Sequence, residues 1–196
     1  MYKRIFTFLL AFAISAPLLA ASGDNSPNPP SPGYSALVGP SWGIGVTSGF
    51  GSPWGSGLEL SYLLTRKLDI QAGVGLSFAG LRYGAGTRFY FKKEGFTPFI
   101  GVALSRNNGA GAVQIAVNNE EGVYAVPAGT MVSPRAGLKL GIFKIIELHL
   151  TGGYGIPLSD TSPVHVSGMD TENLRDAAEL FAPGGLEVSG SFFIRF

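Results

Sequence analysis

The 196-residue chain has no cysteine, which excludes a disulfide scaffold and any thiolate metal site. It is poor in charge: 14% of its residues are ionisable, against a usual share of roughly 25%. Disordered chains are rich in charge and poor in aromatics, whereas 12% of this one is aromatic, so disorder is excluded. A formal net charge of +1 offers no basic surface for nucleic acid. Histidine occurs twice, at His149 and His165, and His165 stands alone in a long connecting segment. A two-histidine metal site is therefore unsupported, and no cofactor or metal is expected. Beyond the N-terminal segment no apolar run reaches the ~18 residues of a membrane-spanning helix. What the chain has in excess is glycine, 29 residues, about twice the usual ~7% share. No Gly-X-Y period accompanies it. The stretches Gly43-Ile-Gly45 and Gly84-Ala-Gly86 lack the Gly-Lys-Ser/Thr of a phosphate loop.

Residues 1–21 read as a secretory signal peptide: Lys3 and Arg4, an apolar core from Ile5 to Leu19, then Ala20. Its removal leaves an expected net charge of −1. Residues 22–33, with four prolines among Ser, Asn and Gly, read as an extended periplasmic linker. The folded part is expected to be one domain, residues 34–196.

From Tyr34 onward the pattern has period two. Eight segments alternate: Ser35–Thr47, Leu58–Thr65, Leu68–Phe78, Leu81–Phe91, Phe96–Ser105, Val132–Ile142, Ile146–Ile156 and Gly185–Phe196. On the apolar parity 39 of 45 positions are apolar and none is charged. On the other parity only 6 of 42 are apolar and 13 are glycine. A solvated face would carry Lys, Glu and Thr, whereas glycine suits a crowded interior. The pattern predicts an all-β, eight-stranded antiparallel up-and-down transmembrane barrel, apolar toward lipid, with a filled polar lumen. Most segments have the ~9–11 residues needed to span. Three connections are tight and read as periplasmic turns, at Thr65–Leu68, Lys92–Gly95 and Phe143–Ile145. The long ones read as outer loops, with Ala79–Gly80 short on that side. Pro40 looks mid-strand, while Pro98 and Pro134 sit near strand starts.

The lumen parity collects Glu59, Asp69, Glu147 and Glu187 with Arg82, Arg88, Arg135, Lys139 and Arg195. Charges in a narrow lumen must pair, so a cross-barrel ion network closing the interior is expected. Trp42, Trp54, Tyr62, Phe91, Phe96, Phe143, Tyr154 and Phe196 are placed outside the lumen, several of them in an interfacial girdle. Val113–Val117 and Val123–Val126 signal a hairpin projecting from loop 106–131; a ten-stranded barrel is the alternative. Asp170–Phe181 reads as a short amphipathic helix in loop 157–184, N-capped by Asp170. Val74→Arg is expected to be costly and Gly75→Ser mild.

The chain resembles the small eight-stranded outer-membrane barrels of the OmpA/OmpX type. The features that carry this are the C-terminal strand ending on Phe196, the segment Gly57–Asp69, and Gly152-Gly-Tyr-Gly-Ile-Pro157. The resemblance implies an integral location in the bacterial outer membrane. It also implies recognition of Phe192, Ile194 and Phe196 by the barrel-assembly machinery. A monomer is expected, with lipid around it and loops 106–131 and 157–184 as the surface left for an extracellular partner. The implied role is structural or surface-interacting and not enzymatic. A passage for small hydrophobic molecules, as in OmpW-like barrels, is the alternative. A lipid-modifying enzyme centred on His149 is a weaker one, since His149-Leu-Thr151 offers no serine and His149 falls on the lumen parity.

Overall fold

The computed structural model describes residues 41–92, 96–142 and 145–196. Residues 1–40, among them the expected leader, the linker and Pro40, lie outside the described residues, as does Phe143. Eleven strands and one helix follow in order: β1 Ser41–Phe50, β2 Ser56–Leu63, β3 Leu68–Ser77, β4 Gly80–Tyr90, β5 Thr97–Asn107, β6 Ala110–Val117, β7 Glu120–Val126, β8 Gly129–Gly141, β9 Ile146–Pro157, β10 Val164–Gly168, α1 Glu172–Phe181 and β11 Gly185–Arg195.

Eight of the strands close a barrel in the order β1-β11-β9-β8-β5-β4-β3-β2. The seam is antiparallel and reaches the last residue. Phe196 donates its N–H to the Trp42 carbonyl and accepts from the Trp42 N–H, at 3.0 and 3.1 Å. Each expected segment overlaps one barrel strand, with shifted ends. Within the described residues the first is Ser41–Phe50, running past the expected end at Thr47.

Turn chemistry sets the hairpins. Thr65 Oγ1 accepts from the N–H groups of Lys67 and Leu68, which tightens the β2–β3 turn. On the opposite end Ser77 pairs with Gly80, and Gly80 takes a φ of +86° that a side chain would resist.

Pro98, second in β5, lies near its strand start. Pro134 does not: it is the sixth residue of β8. Its pairing with Val102 of β5 is intact. The β8–β9 register instead skips Ser133 and Pro134 between Val132–Ile156 and Arg135–Gly153. The missing donor is taken up as a gap in one ladder.

The wall is inside-out. Val46, Leu58, Leu76, Phe78, Leu104 and Val188 are each more than half exposed, while Asp69, Glu59, Arg88, Arg195 and His149 are buried. Water would penalise that exterior; acyl chains do not.

The hairpin does not enter the barrel. β6 and β7 join at Asn118 and Asn119, both with positive φ (52° and 66°), as a two-residue turn requires. β10, which the sequence pattern does not announce, pairs with β7 to make a three-stranded sheet. Helix α1 covers it, packing Leu174 and Ala178 on Ile115 and Tyr124. The two long loops thus form one outer lobe with its own small core. Its N-cap is Thr171, without a side-chain cap bond. Asp170 is drawn away by Arg175 and by the Tyr124 hydroxyl.

Candidate functional site

The lumen is the most elaborated part of the molecule, and it is built in two tiers. At the turn end, Asp69 on β3 is the hub. One oxygen, Oδ2, accepts from Ser61 Oγ at 2.8 Å, Tyr90 OH at 3.0 Å, Arg88 Nη2 at 3.1 Å and Arg195 Nη2 at 3.3 Å. Arg88 also pairs with Glu59 at 3.1 Å. Arg195 crosses to Glu147 on β9 at 2.9 Å, where Lys139 joins at 3.3 Å. Six strands are thereby tied through one set of charges.

His149 closes the set. Its Nδ1 lies 2.8 Å from Arg88 Nη1, which can only donate, so Nδ1 is the acceptor. The proton therefore sits on Nε2 and faces Glu147 Oε2 at 3.2 Å. Both ring nitrogens are occupied, the ring is 0% exposed, and Phe193 stacks on it with centroids 4.8 Å apart.

At the loop end the pairing is looser. Glu187 Oε1 accepts from Ser133 Oγ at 2.6 Å. Arg135 faces the ring of Trp54, 5.5 Å from its centroid. Arg82 donates Nη1 to the carbonyls of Ser52 and Gly51 at 2.9 and 3.3 Å. Six of the nine charged lumen residues of the expected network are thus linked through shared partners at the turn end; Glu187, Arg82 and Arg135 have no ion pair among the described residues.

One aromatic lies elsewhere than the alternation predicts. Trp54 belongs to the β1–β2 loop but folds into the lumen and is 0% exposed. A Cβ on Gly73 or Gly84, which are partners across β3 and β4, would collide with its indole. The alternation rule cannot reach a loop residue. The signal available was the facing glycine pair, a gap of the size of one large ring. The other girdle residues behave as expected where described: Trp42 stacks on Tyr62 at 4.6 Å, and Phe96 and Phe196 are exposed.

Phe192, Ile194 and Phe196 all point outward from β11 beside the seam with β1. They form an apolar stripe on the strand that closes the barrel.

No family model matches the chain, and no curated protein matches it. Solved structures do. The N-terminal β-barrel domain of Pseudomonas aeruginosa OprF aligns at 12% identity over 84% of this chain and 99% of its own, with a TM-score of 0.47. Neisserial surface protein A aligns at 11% identity over 80% and 96%, TM-score 0.44. Acinetobacter baumannii CarO aligns at 12% over 80% and 97%, TM-score 0.34. The closed eight-stranded barrel itself is carried by the strand register of this chain.

Proposed function

We propose that the protein is a non-enzymatic integral barrel of the bacterial outer membrane whose lumen is shut and whose outer lobe is the interacting surface. The carrying observation is the lumen itself. Trp54, Tyr90, Phe99, His149 and Phe193, with Arg88 and Arg195, are all buried within it. An eight-stranded barrel has room only for its side chains, and here large ones take that room. An apolar passage is opposed by the charges that line it. Catalysis at His149 is opposed by its two engaged nitrogens.

The lobe is what remains to meet a partner. It carries Glu120, Glu121, Asp160, Asp170, Glu172, Asp176 and Glu179 against Arg175, so polyanions are disfavoured. Phe192, Ile194 and Phe196 are proposed as the stripe that the assembly machinery reads.

Planar-bilayer recording tests the closure. The expected trace has no steady conductance, whereas stable openings of roughly hundreds of picosiemens, the scale of a water-filled pore, would contradict a filled lumen.

A further inference from the structure

The loop-end rim of the barrel holds a feature that the ion network does not use. Where β1 ends, β2 begins and the last turn of α1 leans on Phe78, there is a cavity of about 100 Å³. Its walls divide by chemistry. Phe50, Leu76 and Phe78, exposed on the lipid-facing side, and Phe181 of α1 supply an apolar side; the buried Arg82 and Ser52 supply a polar end. Both polar residues are buried, 3% and 1% exposed. Each holds an atom with no hydrogen-bond partner among the described residues, Arg82 Nε and Ser52 Oγ.

The charge count around them is uneven. In this tier two guanidinium groups, Arg82 and Arg135, face one carboxylate, Glu187. Glu187 engages Ser133 through Oε1, and its Oε2 has no hydrogen-bond partner among the described residues. Arg82 is bound only by two backbone carbonyls among the described residues. A water molecule would satisfy a free N–H but would not balance a charge held away from solvent. A monoanion does both.

We propose that this cavity binds a small amphipathic carboxylate, by class a short-chain fatty acid. Its carboxylate meets Arg82 and Ser52, and its alkyl chain lies along Phe50, Leu76, Phe78 and Phe181. The planar fork of arginine matches a carboxylate. The single excess charge calls for a monoanion, and the apolar wall calls for a tail. The ligand lies at the rim, with its chain on the lipid-facing residues, so the site stands whether or not the lumen conducts.

Hexanoate is the probe, titrated into folded protein in zwitterionic detergent. Trp42→Phe leaves Trp54, two residues from Ser52, as the single indole reporter. The expected result is a saturable change in Trp54 emission with hexanoate, and none with hexan-1-ol or hexylammonium. Arg82→Gln, checked for folding by its migration with and without boiling, is expected to weaken hexanoate about tenfold or more. Ser52→Ala, a loop change, is expected to weaken it less. Equal responses to hexanol and hexanoate would reduce the site to apolar partitioning and overturn the proposal. So would inorganic phosphate binding as well as hexanoate. Should Arg82→Gln not fold, an unchanged affinity in Ser52→Ala would overturn it.

Discussion

Asp69 concentrates the interior chemistry on one atom. Four donors converge on Oδ2, and two of them, Arg88 and Arg195, are cations with almost no exposure. Removing one partner of a buried pair leaves the other charge uncompensated, which costs about 3–5 kcal/mol. Asp69→Ala is therefore expected to lower barrel stability by about that amount, read from urea unfolding of protein folded into vesicles. A loss below about 1 kcal/mol, the scale of a surface pair, would show that the hub is dispensable. The glycines make a second residue-scale point. Val74 faces outward and is 45% exposed, so Val74→Arg is expected to cost about 2–4 kcal/mol. Period two alone made Gly75→Ser look mild. The structure reverses that expectation, because a Cβ on Gly75 would strike the carbonyl oxygens of Trp54 and Ser56. Both substitutions are now expected to be costly in the same unfolding assay, Gly75→Ser because backbone cannot move aside as a flexible side chain can.

At the scale of elements, the lobe depends on a polar clasp at the start of α1. Asp170 is held at about pKa 2 by its hydrogen bonds from Arg175, with the Tyr124 hydroxyl adding to the shift, against an ordinary value of 3.8. A carboxyl whose folded value is depressed stabilises the fold above its unfolded value and loses that contribution as pH falls. Amide-exchange protection of residues 172–181 is thus expected to hold above pH 4 and to decline between about pH 4 and 2. Asp170→Asn is expected to be flat over the same interval; a matching decline in that variant would assign the effect elsewhere. Legibility also divides by element. The eight barrel strands could be read because lipid admits no charge on one face, so each strand repeats the same contrast. Helix α1 could be read from Leu174, Ala178 and Phe181. β10 could not: its five residues, VHVSG, are mostly exposed and its pairing with β7 shifts register between His165 and Ser167. Asp170 looked like a cap because nothing local reveals that Arg175 and Tyr124 compete for it. Trp54 and the Arg82–Ser52 cavity depend on how a loop folds over the mouth, which no period encodes.

The described residues form a closed barrel carrying two insertions that fold together. Asn107 of β5 pairs directly with Gly129 of β8, so the ends of the β6–β7 hairpin already lie side by side. Gly155 of β9 pairs with Gly185 of β11, and the second insertion likewise starts and ends at neighbouring strands. Neither insertion is needed to bring barrel strands together. Removing one alone would strip Leu174 and Ala178 of their cover or leave Ile115 and Tyr124 bare; removing both leaves no unfinished core. Shortening a connection between ends that are already adjacent changes closure entropy only slightly, about 0.6 kcal/mol per doubling of length. A variant with residues 110–126 and 159–183 each replaced by a short Gly-containing turn is therefore expected to keep heat-modifiable migration in the membrane fraction. Its unfolding free energy is expected to change by about 1 kcal/mol or less, while any partner binding at the outer surface disappears. Failure of that variant to fold would mean that the lobe helps to close the barrel, and the division into cylinder and recognition surface would have to be abandoned.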